Sequence, residues 1–299
     1  MKKTKIRKSN FQGAKINPSR FHPSQIKFYL ILVPIALFML LPVMFIVSEA
    51  FKPLDALFRF PPTFIVERPT LDNFRHIGEM AGATGLPASR FIINSLIVTI
   101  STVSLTLVIT GMTAYVFSKK KFKLNKVLFR LNQAALMFVA TAVTMPRYII
   151  IMNVGLNNNF LANIIPLLAM PVGLFLVKQF VDTNVPDELI EAAKVDGAGE
   201  LKILFRIVFP LIVPALATVC ILTFQTVWGS TEASTMFIED DTLRTFPFLL
   251  NTFTVAAAGN PVLQGVSAAA GLIMFFPNLI IFIAMQSRVM NTMSHSGIK

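Results

Sequence analysis

Residues able to do polar chemistry are sparse in this chain, and one group of them stands apart from the termini. Glu188-Leu189-Ile190-Glu191-Ala192-Ala193-Lys194-Val195-Asp196-Gly197-Ala198-Gly199, running on to Ile207-Val208-Phe209-Pro210, forms a charged island between two long apolar runs. Elsewhere, catalytic and metal chemistry find little to work with. No His-Glu-x-x-His, intramembrane aspartate pair or serine–histidine arrangement occurs. The histidines, His22, His76 and His295, fall in separate polar segments, and Cys220 is alone inside an apolar run. One cysteine allows neither an internal disulfide nor a cysteine metal cluster. No glycine is followed by lysine, so the phosphate loop Gly-x-x-x-x-Gly-Lys-Ser/Thr is absent. We therefore expect no catalytic residue, no cofactor and no metal. Two readings of the island stay open on its residues alone. It is a solvated helical bend, or it is a protein-docking helix whose Ala192 and Ala193 permit close approach of a partner.

The surrounding runs must position the island. The chain has 299 residues, 54% of them hydrophobic and 14% charged, against about a quarter charged in a soluble domain. About 20 consecutive apolar residues let a helix cross a bilayer. A soluble helical protein would show polar faces every three or four residues, and these runs lack them. We expect an all-α membrane protein with six transmembrane helices, at 28–48, 91–117, 128–150, 160–180, 207–228 and 262–285. The first run is read as a retained span rather than a signal peptide, being too long for one. Flanking them are a basic segment, 1–27, the charged loop 182–206 and a tail, 286–299. Pro61, Pro62, Pro69 and Pro87 punctuate the polar stretch 51–90, where Thr70 suits a helix cap. Pro166 and Pro171 should bend the fourth span. Asn251, Gly259, Asn260 and Pro261 mark a re-entrant or surface piece before the last.

Charge placement sets the expected orientation. Lys2, Lys3, Lys5, Arg7, Lys8, Lys15, Arg20 and Lys27 precede the first span without any acid. Lys119, Lys120, Lys121, Lys123 and Lys126 follow the second. Lys/Arg-rich loops are cytoplasmic, so both termini and the island are expected inside. The net charge of +12 then reflects basic flanks facing anionic membrane lipids. Nucleic acid is not an expected partner.

Within the island, Pro186 suits a first helical turn, and Asp187 and Glu188 favour the positive end of a helix dipole. Leu189, Ala192, Ala193 and Asp196 share one face at helical spacing. Gly197 offers a left-handed cap, and Gly199 a second flexible point. Leu201, Leu204, Phe205 and Val208 then form a stripe leading into the fifth span. The pattern predicts helix, turn, helix.

Glu191-Ala192-Ala193, Gly197, Ile207 and Pro210 stand at the spacing of the Glu-Ala-Ala loop of bacterial ABC importer permeases, with Phe209 where leucine is usual. The chain resembles that family, and the stretch from Pro186 through Asp196-Gly197-Ala198 is similar to its carbohydrate type. Pro69-Thr70-Leu71-Asp72-Asn73-Phe74, Gly155-Leu156-Asn157-Asn158 and Leu243-Arg244-Thr245-Phe246-Pro247 resemble segments of maltose-system permeases. The end of the tail, His295-Ser296-Gly297-Ile298-Lys299, is similar to that of a subgroup handling complex or acidic oligosaccharides.

The resemblance implies a MetI-like ABC type I permease architecture with cytoplasmic N and C termini. It implies half of a pathway for a carbohydrate, driven by a separate cytoplasmic ATP-binding subunit dimer. The coupling residues would be Glu188, Glu191, Ala192, Ala193, Asp196, Gly197, Ile207 and Pro210. A second, different permease subunit and an extracellular solute-binding protein are further implied partners. Sugar contacts need hydrogen-bonding groups beside aromatic faces, and Asn94, Gln225 and Trp228 are candidates in or near spans. Trp228 equally suits an interfacial anchor, and it is followed by Gly229-Ser230-Thr231 where the family often has Asn-Glu-Phe. Alternatives are an ABC permease for a non-sugar solute, or an ion-coupled secondary transporter. The latter usually carries ionisable residues within its spans.

Overall fold

The computed structural model of the protein describes residues 26–59, 63–82, 85–258, 260 and 262–296. Lys2 through Arg20 of the basic segment, Pro61, Pro62, Gly259, Pro261 and the final Gly297-Ile298-Lys299 lie outside the described residues. The described residues form helices and turns and contain no strand.

Helix α1 (Ile26–Phe51) leaves its side chains exposed until the last turn, where Ser48, Glu49 and Ala50 are buried against the bundle. After a short α2 (Leu54–Leu57), α3 (Asp72–Gly82) begins where Thr70 Oγ1 accepts the Asp72 amide at 3.1 Å, the expected cap. Asn73 then closes the end of α1. Its amide donates to the carbonyls of Ala50 (3.0 Å) and Lys52 (2.8 Å), carbonyls a helix end leaves without partners. Gly265 makes room for this: a Cβ there would lie 2.6 Å from Asn73 Oδ1.

Helix α4 (Ala88–Lys119) is the central rod, and its 32 uncharged or terminally charged residues contain the expected span 91–117. The expected third span is not one helix. The chain forms α5 (Asn125–Ala135), a turn over 136–139, and α6 (Ala140–Asn153). The run carries no proline or glycine at the break, so its sequence held no sign of it. Asn132 of α5 instead donates to the Pro171 carbonyl at 3.1 Å, and Met137 and Phe138 stand 85% and 68% exposed. The fourth segment is broken where its prolines predict. Two 3-10 turns (Phe160–Asn163 and Ile165–Leu167) precede α7 (Pro171–Asn184) at a bend of 43°.

The island follows as α8 (Asp187–Val195) and α9 (Glu200–Ile203), then a π-helical turn (Leu204–Val208) and α10 (Phe209–Trp228). The wide turn has a local cause. Pro210 has no N–H to give the ladder, and the Phe209 amide reaches back five residues to Leu204. After α11 (Glu232–Met236) comes α12 (Phe246–Ala257), too short to span, lying where a re-entrant or surface piece was expected. The last helix, α13 (Val262–Ser296), runs past the expected boundary at 285 into the tail. Among the described residues four helices are thus long and apolar enough to cross a membrane, or five if the bent pair is one span, against an expectation of six.

One core joins α4, α7, α8 and α10 through Ala114, Val177, Val181, Ile190, Ile203, Val208 and Ile212. A second joins the end of α1 to α3, α4, α12 and α13 through Ala50, Ile77, Phe91, Phe246, Phe253 and Ala269. Close approaches tighten them. The Phe209 ring lies over Gly111, 2.7 Å from where a Cβ would stand.

Candidate functional site

The island is a closed helix–turn–helix. Pro186 is the residue before α8 rather than within its first turn, with extended φ −63° and ψ 143°, so Asp187 is the first helical residue. At the other end Gly197 has φ +76°, and its amide donates to Lys194 O at 3.0 Å. The Ala198 amide donates to Ala193 O at 2.9 Å. This pair of bonds is the Schellman stop, which needs a left-handed residue, so Gly197 fills the role expected of it.

Packing divides α8 into a buried and an exposed side. Ile190 and Ala193 point into the core, at 5% and 8% exposure. Glu188, Leu189, Glu191, Ala192, Val195 and Asp196 are exposed, so of the four residues that share one face by spacing, Leu189, Ala192 and Asp196 face outward and Ala193 is buried. The stripe after the turn is split likewise: Leu204 and Val208 are buried with Ile203, while Leu201 and Phe205 stand 65% and 49% exposed. The outer surface therefore combines carboxylates with Leu189, Val195, Leu201 and Phe205. Ile207 and Pro210 fall in the π turn and the first turn of α10, where they set the exit of the island rather than its surface.

The island is also bound to the end of α4. Lys119 Nζ donates to Asp187 Oδ1 at 2.8 Å, the lysine side chain being 9% exposed. Tyr115 Oη donates to Glu200 Oε2 at 2.9 Å, and Lys120 pairs with the other Glu200 oxygen. Ser118 Oγ donates to Asp182 at the end of α7, which Lys178 also meets at 2.6 Å. Lys119 holds the Asp187 carboxyl below the ordinary carboxylate range. Lys120, with Tyr115, does the same for Glu200. Partial burial opposes the Lys120 charge, but Glu200 and Tyr115 outweigh it and raise its pKa. Part of the lysine run read as an orientation signal is thus also a set of binding partners. Nothing local marked this, because the pairs are 64 to 85 residues apart.

At the other end of α4 a different arrangement holds the loops. The Asn94 amide donates to the carbonyls of Thr242 (2.9 Å) and Arg244 (2.8 Å), and Arg90 Nε to Thr242 O at 3.1 Å. Asn163 donates to Leu243 O at 3.2 Å. Asn158, at φ 51°, accepts the amides of Glu239 (3.1 Å) and Asp240 (2.9 Å). Arg147 pairs with Glu232 at 2.7 Å. The Thr242 amide keeps the Asp240 carboxyl low.

The candidate pathway residues do not converge. Asn94 is committed to this backbone clasp. Trp228 is 2% exposed, stacks on Phe224 and donates through Nε1 to Met274 O at 2.9 Å. It is a buried pin between α10 and α13. Gln225 alone is exposed. An apolar hollow of about 730 Å³, edged by Arg147 and lined by Phe138, Pro146, Ile150, Leu156 and Pro166, involves none of the three. Among the described residues one ionisable pair is buried: Lys52 (1% exposed), just past α1, donates to Glu49 in its last turn at 2.5 Å beneath the Asn73 cap. Among the described residues no group of three or more His, Cys, Asp or Glu could hold a metal.

Comparison with known proteins follows this geometry. A family model described as the binding-protein-dependent transport system inner membrane component matches residues 107–287, from within α4 into α13. The melibiose/raffinose/stachyose import permease protein MelC of Bacillus subtilis is 32% identical over 209 residues, 69% of this chain and 75% of its own length. The arabinooligosaccharides transport system permease protein AraQ of Halalkalibacterium halodurans is 27% identical over 267 residues, covering 89% of this chain and 93% of its own. A chain from the crystal structure of a bacterial ABC transporter that imports the acidic polysaccharide alginate superposes with a TM-score of 0.75 at 19% identity. The match covers 91% of this chain and 99% of that one, a likeness of fold.

Proposed function

The chain belongs to the family of binding-protein-dependent transport system inner membrane components, transport permeases rather than enzymes, and from that premise we propose that it forms half of the pathway of an ABC importer for an oligosaccharide. The 182–206 loop is the part that an ATPase moves. Its exposed face, Glu188, Leu189, Glu191, Ala192, Val195 and Asp196, meets a groove on a cytoplasmic ATP-binding subunit, one of a dimer. A second permease completes the pathway, and an extracellular solute-binding protein delivers the sugar. Both termini and the island lie in the cytoplasm of a bacterial cell, with the chain crossing the inner membrane six times, the α5–α6 segment supplying one crossing in two pieces. The basic end of α4 supports this sidedness, since Lys119 and Lys120 sit against the island and lysine-rich ends stay inside. The sugar assignment rests on MelC and AraQ, whose names carry oligosaccharides.

One observation carries the docking reading. The loop is folded and capped, its helix α8 packs inward through Ile190 and Ala193, and charged and apolar side chains point outward together on the other face. The test is co-purification of the ATPase from membranes. Glu191→Lys inverts a charge on the outward face and is expected to weaken recovery. Gly197→Pro removes the positive φ and the amide that donates to Lys194, and is expected to abolish it. Wild-type recovery in both variants would sink the docking role. Binding of raffinose by the cognate solute-binding protein, against none for glycerol 3-phosphate, tests the sugar class.

A further inference from the structure

We infer that Tyr115, Lys119 and Lys120 form a clamp that makes the end of α4 a second, non-covalent outlet for force applied to the docking loop; this rests on the docking reading above. The covalent outlet is evident: α9, the π turn and α10 are one helical path. A load applied to α8 would reach α10 through the chain. It reaches α4 only through contacts, and α4 is the rod around which α7, α10 and α12 pack.

Those contacts are placed for the task. Asp187 opens α8, and Glu200 opens α9, so the two tied carboxylates bracket the docking helix and its turn. Each is gripped by the last turn of the same helix. Lys119 takes Asp187; Tyr115 and Lys120 take the two oxygens of Glu200. Lys194 approaches Glu200 at 3.7 Å and closes the loop on itself. The anchors are better held than the carboxylates. Tyr115 is 3% exposed in the core and the Lys119 side chain 9%, against 74% for Asp187 and 53% for Glu200. Exposed ion pairs add little to stability, but two attachment points on a rigid rod fix an orientation, which one cannot. Motion of α8 relative to α4 must break both.

The test uses the intact complex, this chain with its partner permease and ATPase, in nanodiscs. Spin labels are placed at Val116 on α4 and Lys194 on α8, both exposed and neither on the docking face, in a Cys220→Ser background. Pulsed electron–electron resonance reads their separation without nucleotide and with ATP plus vanadate. The clamp predicts one unchanged distance in both conditions. Lys119→Asp combined with Glu200→Gln is expected to broaden the distribution and shift it with nucleotide by about 3 Å or more, the length of a charge-assisted hydrogen bond. Adding Asp187→Lys to that variant rebuilds the first tie with its charges exchanged and should remove at least about half of the shift, a rescue a merely misfolded protein would not show. A nucleotide-dependent distance in the wild type, or an unchanged one in the unclamped variant, would overturn the clamp. ATPase co-elution is recorded on the same samples; its absence from the wild-type complex would overturn the docking reading itself.

Discussion

The two ends of α4 hold their neighbours by different chemistry. At Ala88 the ties run from side-chain amides and guanidinium to backbone carbonyls: Asn94 to Thr242 and Arg244, Asn163 to Leu243, Arg90 to Thr242. At Lys119 they run from cation or hydroxyl to carboxylate: Lys119 to Asp187, Lys120 and Tyr115 to Glu200. A carbonyl clasp fixes backbone shape and is indifferent to salt. A pair of exposed charges is weak, screened and exchangeable. The end proposed to meet a moving partner uses the adjustable kind, and the other end the permanent kind.

The widest separation of the two ends is expected from Gly197→Pro. It should cut ATPase recovery by at least about tenfold through loss of the island's fold, while leaving the Asn94 clasp and the melting temperature of the remaining bundle near wild type. A bundle that melts many degrees lower would merge the two ends into one cooperative unit. Asn94→Leu is next. It strands two carbonyls and should cost about 1–3 kcal/mol, read as a lowered thermal midpoint in detergent that is the same at 50 and 500 mM salt. Trp228→Phe keeps the stack but loses the donor to Met274, and about 0.5–1.5 kcal/mol is expected in the same assay. Lys119→Ala should barely move that midpoint, yet any effect it has should vanish in high salt.

Acid gives the smallest and sharpest contrast. Asp187 and Glu200 are held below their ordinary carboxylate values. Their contribution is therefore complete above the unfolded value, about pH 4, and is lost as pH falls through the lower folded value. Between pH 7 and 5 the separation of α4 and α8 should not change; below about pH 4 it should widen. Asn94 does not titrate, so the opposite clasp persists, apart from the Asp240 cap on Thr242.

How much of this was legible follows from the range of each interaction. The island's helix, its glycine stop and the bend at Pro166 and Pro171 are written in adjacent residues, and the chain folds there as its pattern predicts. The face of α8 is not. Leu189 and Ile190 are both apolar neighbours, and only packing against α4, α7 and α10 selects Ile190 for the core. The break over 136–139 occurs in an unbroken apolar run, where periodicity has no contrast to offer. Asn94 and Trp228 are sugar-contact candidates by type, and type alone says nothing of their bonds to residues 148 and 46 positions away. Asn73 is the converse. It stood out as part of a family-like segment, and its amide proves to cap α1 beneath Gly265.

The unbroken course from Glu200 through the π turn to Trp228 has a mechanical consequence. Twenty-nine residues at about 1.5 Å each make a shaft of about 43 Å, pinned at Trp228 by the bond to Met274 and tied to the end of α4 at Glu200. Swinging such a shaft by about 5° about its pinned end carries the other end about 4 Å, roughly two-thirds of a helical turn. A displacement of a few ångströms at the 182–206 loop therefore needs only a small tilt of this shaft, whose π turn at 204–208 keeps the helical path continuous from the loop to Trp228.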